Sequence, residues 1–485
     1  MLVAATRPVH FLVARNEKMS YRIGPLALAA GALGLFVACA GPDETSSGVP
    51  EDGEFRVPVE YRTLDNGLKV ILSEDHTAPT VAVAVYYHIG LRIEPRDRTG
   101  FAHLFEHMMF QGSENLGKME FVRLIQQNGG ILNGSTRFDF TNYFEVVPAH
   151  KLETILWAEA DRMRGLDITQ ENLTNQQGVV KNEVRVNVLN QPYGGFPWLD
   201  LPQYANENWY NAHNFYGDLE DLDAATLEDV QSFFERYYAP SNAALAIVGD
   251  FETGQALAWI EEYFGDIPAG PPVELPDISE PRQEEEKRHT KTDPLANRPA
   301  LAIGYHMPER NSSEYWAMGL IDQILLQGDD AWLHQALVQD QGLTGSVDGG
   351  INLLGNMVNY EGPMLWTLSL IHDEDKTSER IVAVADSVIE RIRTTPVDVE
   401  TLNRARVKLR SQIYDTVDGF FGIGRADLLA VFALFDDDPA RINELDARFA
   451  EVTPDLIRRT AEEYLRPGNR TILVVEPGAA AGAAQ

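Results

Sequence analysis

Two stretches far apart in this chain end alike, and that likeness limits its fold more than any other feature. Thr226, Tyr237, Pro240 and Asn242 precede the apolar run ALAIVGD, while Thr453, Tyr464, Pro467 and Asn469 precede TILVVEP. The offsets 453 − 226, 464 − 237, 467 − 240 and 469 − 242 are all 227. A helix, a turn and a strand spaced alike at the end of each half read as two copies of one domain. Within each copy, β-branched runs such as TVAVAVYYHIG alternate with amphipathic stretches such as HKLETILWAEADRMRG. The expected fold class is α+β: two homologous domains, each a mostly antiparallel sheet with helices packed on one side. The copies fall at 57–270 and 296–478. Residues 271–295, rich in Pro and charge, read as a linker, and 479–485 as a disordered tail.

The first 56 residues read as an address and a tether. An uncharged apolar run, PLALAAGALGLFVA, ends at Cys39, the chain's single cysteine, and Arg22 precedes it. The run is shorter than the roughly 20 residues a spanning helix needs, so 1–39 reads as a signal peptide with Met19 as the start. The stretch FVAC resembles a bacterial lipoprotein box, although Phe36 stands where Leu is usual. This implies lipidation at Cys39 and a lipid-anchored location in the bacterial envelope, facing the periplasm. Residues 40–56 have a flexible tether's composition. One cysteine permits no intramolecular disulfide and no cysteine-based zinc site. A formal net charge of −33 repels phosphate backbones and argues against nucleic-acid binding.

The chemistry begins in RTGFAHLFEHMMFQG, where His103, Glu106 and His107 form H-x-x-E-H. On a helix, positions i and i+4 share a face, so both imidazoles can reach one metal ion. Glu106 shares that face and can take a proton from a water the metal activates. A catalytic zinc centre keeps three protein ligands, so one more must come from elsewhere. The helix-like stretch ENLTNQQGVVKNEVRVNVLN offers Glu183, 183 − 107 = 76 residues on.

That motif and its distant glutamate, with NGGILNGSTRFDFTNYFEVVP and HNFYGDLEDLDAATLEDVQSFFERYYAPSNAALAIVGDF, resemble the pitrilysin and mitochondrial processing peptidase family, the inverzincins. The resemblance spans about 57–478 and implies a half-size bacterial zinc endopeptidase with one Zn2+ per chain. It implies His103, His107 and Glu183 as ligands and Glu106 as general base. It also implies Asn133, Gly134, Ser135 and Thr136 as a strand edge to which a peptide substrate adds.

Three departures from the family qualify the expectation. Aligning Gln111-Gly112 with Gln327-Gly328 puts Gly319 and Gln323 at the histidine positions and Asp322 at the base, and Gln412 falls at the third ligand, so the second half carries no zinc site. Val338 and Gly345 stand where active relatives have an Arg and a Tyr that bind substrate and steady the oxyanion. Gln176 replaces a supporting glutamate seven residues before Glu183. The expected assembly is a heterodimer in which this chain brings zinc and a related partner brings the Arg–Tyr pair around a closed chamber. The competing expectation is a non-catalytic assembly or binding subunit of the same fold.

Overall fold

The computed structural model describes residues 56–478, so Cys39, the tether and the tail lie outside the described residues. Among the described residues there are eleven strands in two sheets, and no helix is long and apolar enough to cross a membrane. The first sheet contains β1 (Glu60–Thr63), β2 (Lys69–Glu74), β3 (Thr80–Tyr87), β4 (Ile131–Thr136), β5 (Thr141–Pro148) and β6 (Ala243–Gly249), in the order β1-β2-β6-β3-β5-β4. The second contains β7 (Lys287–Asp293), β8 (Ala300–His306), β9 (Asp348–Ile351), β10 (Leu365–Ile371) and β11 (Arg470–Pro477), in the order β7-β11-β8-β10-β9.

Strand by strand, β2-β6-β3-β5-β4 repeats as β7-β11-β8-β10-β9, including the parallel pair β2/β6 and its counterpart β7/β11. The repeated residues do the same work in each half. Thr226 and Thr453 cap the helices Leu227–Tyr237 and Pro454–Tyr464, each accepting from a backbone N–H of the first turn. Asn242 Nδ2 donates to the carbonyls of His88 and Tyr237, and Asn469 Nδ2 to those of His306 and Tyr464. Each asparagine ties the end of its helix to the sheet beside it.

The stretch expected to be a linker is corrected at its end: 287–293 of 271–295 is strand β7, parallel to β11. Its sequence, KRHTKTD, has no apolar side chain to signal a strand, because β7 is an edge whose charged residues keep other chains from pairing with it. Lys291 instead holds both carboxylate oxygens of Asp200 at 2.7 Å.

That ion pair is part of a reciprocal arrangement. In the first sheet Val81, Val83, Val85, Leu245 and Ile247 pack against that half's own helices. The opposite face offers Ala84, Ala244 and Ala246, small enough for the helix Ile423–Asp436 of the second half to lie close against it. In return, Leu201 and Ala205 of the first half's helix Asp200–Ala205 pack with Ala302, Leu365 and Leu473 on the second sheet. Arg92, buried, adds a polar tie: its Nε donates to Asp139 at 2.6 Å, and Asp139 accepts from the backbone N–H of Glu361 at 2.8 Å. Replacing Ala246 with Leu forces extra methylenes into this seam and is expected to cost about 1–3 kcal/mol. A urea titration should show a lower midpoint at unchanged slope.

Candidate metal centre

The helix Phe101–Met108 buries Phe101, Leu104, Phe105 and Met108 in the first core, which leaves His103, Glu106 and His107 on its other side. Gly100, at positive φ, starts the helix without a capping side chain of its own. Glu94, fully buried, supplies the cap from upstream, accepting from the N–H groups of Gly100 at 2.8 Å and Ala102 at 2.6 Å. A carboxylate there satisfies two of the helix's free donors and sits at the favourable end of its dipole.

Glu183 arrives on the helix Gln170–Val184, which begins at a Thr169 cap and packs against the motif helix through its apolar face. Leu173, Val180 and Val184 bury that face, and Glu183 projects beside it. Its carboxylate lies 3.7 Å from His103 Nε2 and 3.3 Å from His107 Nε2. One donor atom from each of the three residues lies within 4.8 Å of the others. Among the described residues, no other group of three or more His, Cys, Asp or Glu is so placed.

Two imidazole nitrogens and a carboxylate oxygen are donors zinc accepts. Bond lengths of about 2.0–2.2 Å put neighbouring donors of a tetrahedral centre about 3.4 Å apart. The observed spacing fits such an ion, with a fourth position left open.

Electrostatics favour the donor form at His103 and Glu183, while the carboxylates beside His107 favour its protonated form. Burial pushes His103 below the ordinary histidine range, favouring the neutral imidazole that coordinates metals. Burial pulls His107 down as well, but the hydrogen bond to Glu183 and the negative charges of Glu106 and Glu183 together outweigh that and leave it raised. The same bond holds Glu183 below the usual carboxylate range.

Glu106, the expected base, accepts a hydrogen bond from Thr136 Oγ1 at 2.7 Å. Thr136 belongs to β4, the free edge of the first sheet, with Asn133, Gly134 and Ser135. A side chain at Gly134 would put its Cβ 3.3 Å from Glu106 Cγ and 3.2 Å from Tyr143, so glycine lets the motif helix lie against the strand. Ser135 faces the other way and donates to Asn142 at 2.6 Å.

Three contributors lay beyond the reach of the sequence. Tyr216 donates to Glu183 at 3.4 Å and sets its ring edge-on to His103, with centroids 5.2 Å apart. Glu94 caps the motif helix, and Asn187 donates to Glu183 at 3.5 Å. Tyr216 stands inside the landmark HNFYGDLEDL, which was the only available signal for it. Gln176 is buried near His107, and its Nε2 donates to Asn175 at 2.7 Å.

The second half shows what becomes of the same geometry without a metal. Gln323 Nε2 donates to Gln412 Oε1 at 2.8 Å, so the residues at the positions of His107 and Glu183 bond directly to each other. At Gly319, in the place of His103, an added Cβ would meet the side chain of Met357 at 2.8 Å. Asp322, in the place of Glu106, is buried and accepts from Trp366 Nε1 at 2.8 Å. Val338 packs on the apolar core and Gly345 is exposed, so neither offers a side-chain donor.

Comparison with known proteins agrees with this division. A family profile described as "Insulinase (Peptidase family M16)" matches residues 69–193, which contain His103, Glu106, His107 and Glu183. A profile described as "Peptidase M16 inactive domain" matches 224–409. The chain is 22% identical to "Zinc protease PqqE" of Helicobacter pylori over 86% of this chain and 93% of that one. It is 21% identical to an "Uncharacterized zinc protease" of Streptomyces coelicolor over 86% of this chain and 89% of that one. Its fold matches the crystal structure of a protease from Helicobacter pylori at a TM-score of 0.79 and 22% identity, covering 87% of this chain and all of that one. It matches the periplasmic protease PqqL from Escherichia coli at 0.69 and 16% identity, covering 87% of this chain and 48% of PqqL.

Burial pushes the Asp322 carboxyl up to about 7. In the unfolded chain an aspartate titrates near ~3.9. Its neutral form is the one the fold accommodates, so its contribution is intact at low pH and is lost as pH rises through about 7. Asp322→Asn is therefore expected to gain about 2 kcal/mol relative to the wild type between pH 5.5 and pH 8. Urea unfolding at both pH values measures it.

Proposed function

Since this chain belongs to peptidase family M16, we propose that it is a zinc-dependent endopeptidase, with His103, His107 and Glu183 as ligands and Glu106 as general base. The observation that carries this reading is the meeting of the three donors with Glu106 on the same helix face. Zinc held there would lower the pKa of a coordinated water towards neutrality and polarise a peptide carbonyl. Glu106 would take the proton from the attacking water and return it to the leaving amine, and Thr136 fixes the carboxylate by a hydrogen bond. The peptide adds to the free edge of β4 at Asn133–Thr136 through main-chain hydrogen bonds, which bring it alongside the base. Tyr216 and Asn187 hold Glu183 in place.

A purely structural role suits the second half, where Gln323 and Gln412 satisfy one another. It does not suit the first, where, among the described residues, Glu183 is what lies between the two imidazoles. Glu106→Gln should keep about one zinc per chain by elemental analysis while lowering peptide turnover about 10²–10⁴-fold. A chelator should abolish turnover in the wild type. Hydrolysis that survives either change would refute the assignment.

The chain is about half the length of PqqL, which supports pairing with a second unit of the same size. In this reading the partner is a related chain without zinc that supplies an Arg–Tyr pair in place of Val338 and Gly345. The assembly is tethered in the envelope by lipid on Cys39, on the periplasmic side. The purified chain alone should turn over peptides slowly and speed up with such a partner. Equal rates with and without it would dismiss the heterodimer.

A further inference from the structure

Arg137 follows Thr136 directly, at the end of the strand edge beside the base. Its backbone is pinned: the N–H donates to Phe140 at 2.8 Å, closing the β4–β5 turn, and its carbonyl accepts from Leu91 at 2.9 Å. Its side chain is not spoken for. Among the described residues, no carboxylate lies within ion-pair distance of the Arg137 guanidinium, and no hydrogen bond engages it. Most arginines elsewhere in this acidic chain are paired, as Arg92, Arg162, Arg310 and Arg470 are.

Strand alternation gives the free cation a direction. Thr136 faces Glu106 and Ser135 meets Asn142 on the opposite face; Arg137, one residue past the end of β4, continues the alternation onto the side of Ser135. The charge of Arg137 is felt there by Tyr86 and Asp427. Asp427 accepts from the Tyr86 hydroxyl at 2.8 Å. A half-buried guanidinium that no described carboxylate meets at ion-pair distance, fixed at the end of a free strand edge, is a place for an anion brought from outside.

We propose that Arg137 is a specificity residue that selects a carboxylate side chain on the bound peptide, on the strand face opposite the catalytic base. This rests on the reading of β4 as the peptide-binding edge. A peptide lying along β4 turns alternate side chains to the two faces, so the residue opposite Arg137 on that face can reach it and its immediate neighbours cannot. The enzyme would then favour acidic residues at one position even though its own net charge of −33 favours basic peptides at long range.

The test uses short fluorescein-labelled neutral peptides in which a single Glu or Gln is moved along the sequence. Binding is read by anisotropy on the Glu106→Gln protein with zinc, so that it does not depend on turnover, and cleavage is read on the protein with Glu106 intact. At low salt the Glu peptide should be preferred about three- to tenfold at one position, with no preference at the adjacent positions. Arg137→Gln should bring the ratio to about one, Arg137→Lys should keep much of it, and Arg137→Glu should shift preference to a Lys peptide. A ratio unchanged by Arg137→Gln, or a wild-type ratio of one at every position, overturns the proposal. Peptides that bind with the expected ratio but are never cleaved would sink the peptidase reading and leave the role of Arg137 standing.

Discussion

The contact between two helices, one carrying His103 and His107 and the other carrying Glu183, is what the rest of the molecule serves. One helical turn sets the spacing of the imidazoles, but only packing brings in a carboxylate from 76 residues away. Burying Leu173, Val180 and Val184 against the motif helix supplies that packing. The buried Glu94 holds the start of the motif helix, and Tyr216 steadies the carboxylate. Desolvation then favours a neutral His103, the form in which an imidazole can donate to a metal.

The two halves contrast what this geometry becomes with and without donors that share an ion. In the first, two imidazoles and a carboxylate stand around a gap of a size zinc fits. In the second, Gln323 and Gln412 close that gap with one hydrogen bond, and a methionine side chain fills the space beside Gly319. The helix, turn and strand at the end of each half keep their caps and asparagine ties in both copies. The two halves thus share their scaffold but not their site, as expected when packing constrains one and chemistry the other.

Much of this was legible in the chain itself, because a constant offset and a helical spacing are periodic signals. The 227-residue repeat announced two like sheets, and H-x-x-E-H needed only the i, i+4 rule to put its residues on one face. The parts that stayed hidden depend on long-range contact or on side chains that break the usual pattern. Strand β7 is written in charges because it is an edge. The covering of the first sheet by Ile423–Asp436 shows locally only as alanines at 84, 244 and 246, which any close packing could explain. Tyr216 and Glu94 act across the fold, and no spacing rule connects them to the motif.

The exchange of covers between the sheets has a consequence for how such a protein can be divided. Cut between β6 and β7, the chain would leave each fragment with one apolar sheet face bare, since the helix that shields it would stay with the other fragment. Such fragments would be sticky, and neither would make a self-sufficient module despite the duplication. Expression, inheritance and turnover of the half that carries His103, His107 and Glu183 are thereby tied to a companion half that has no such cluster.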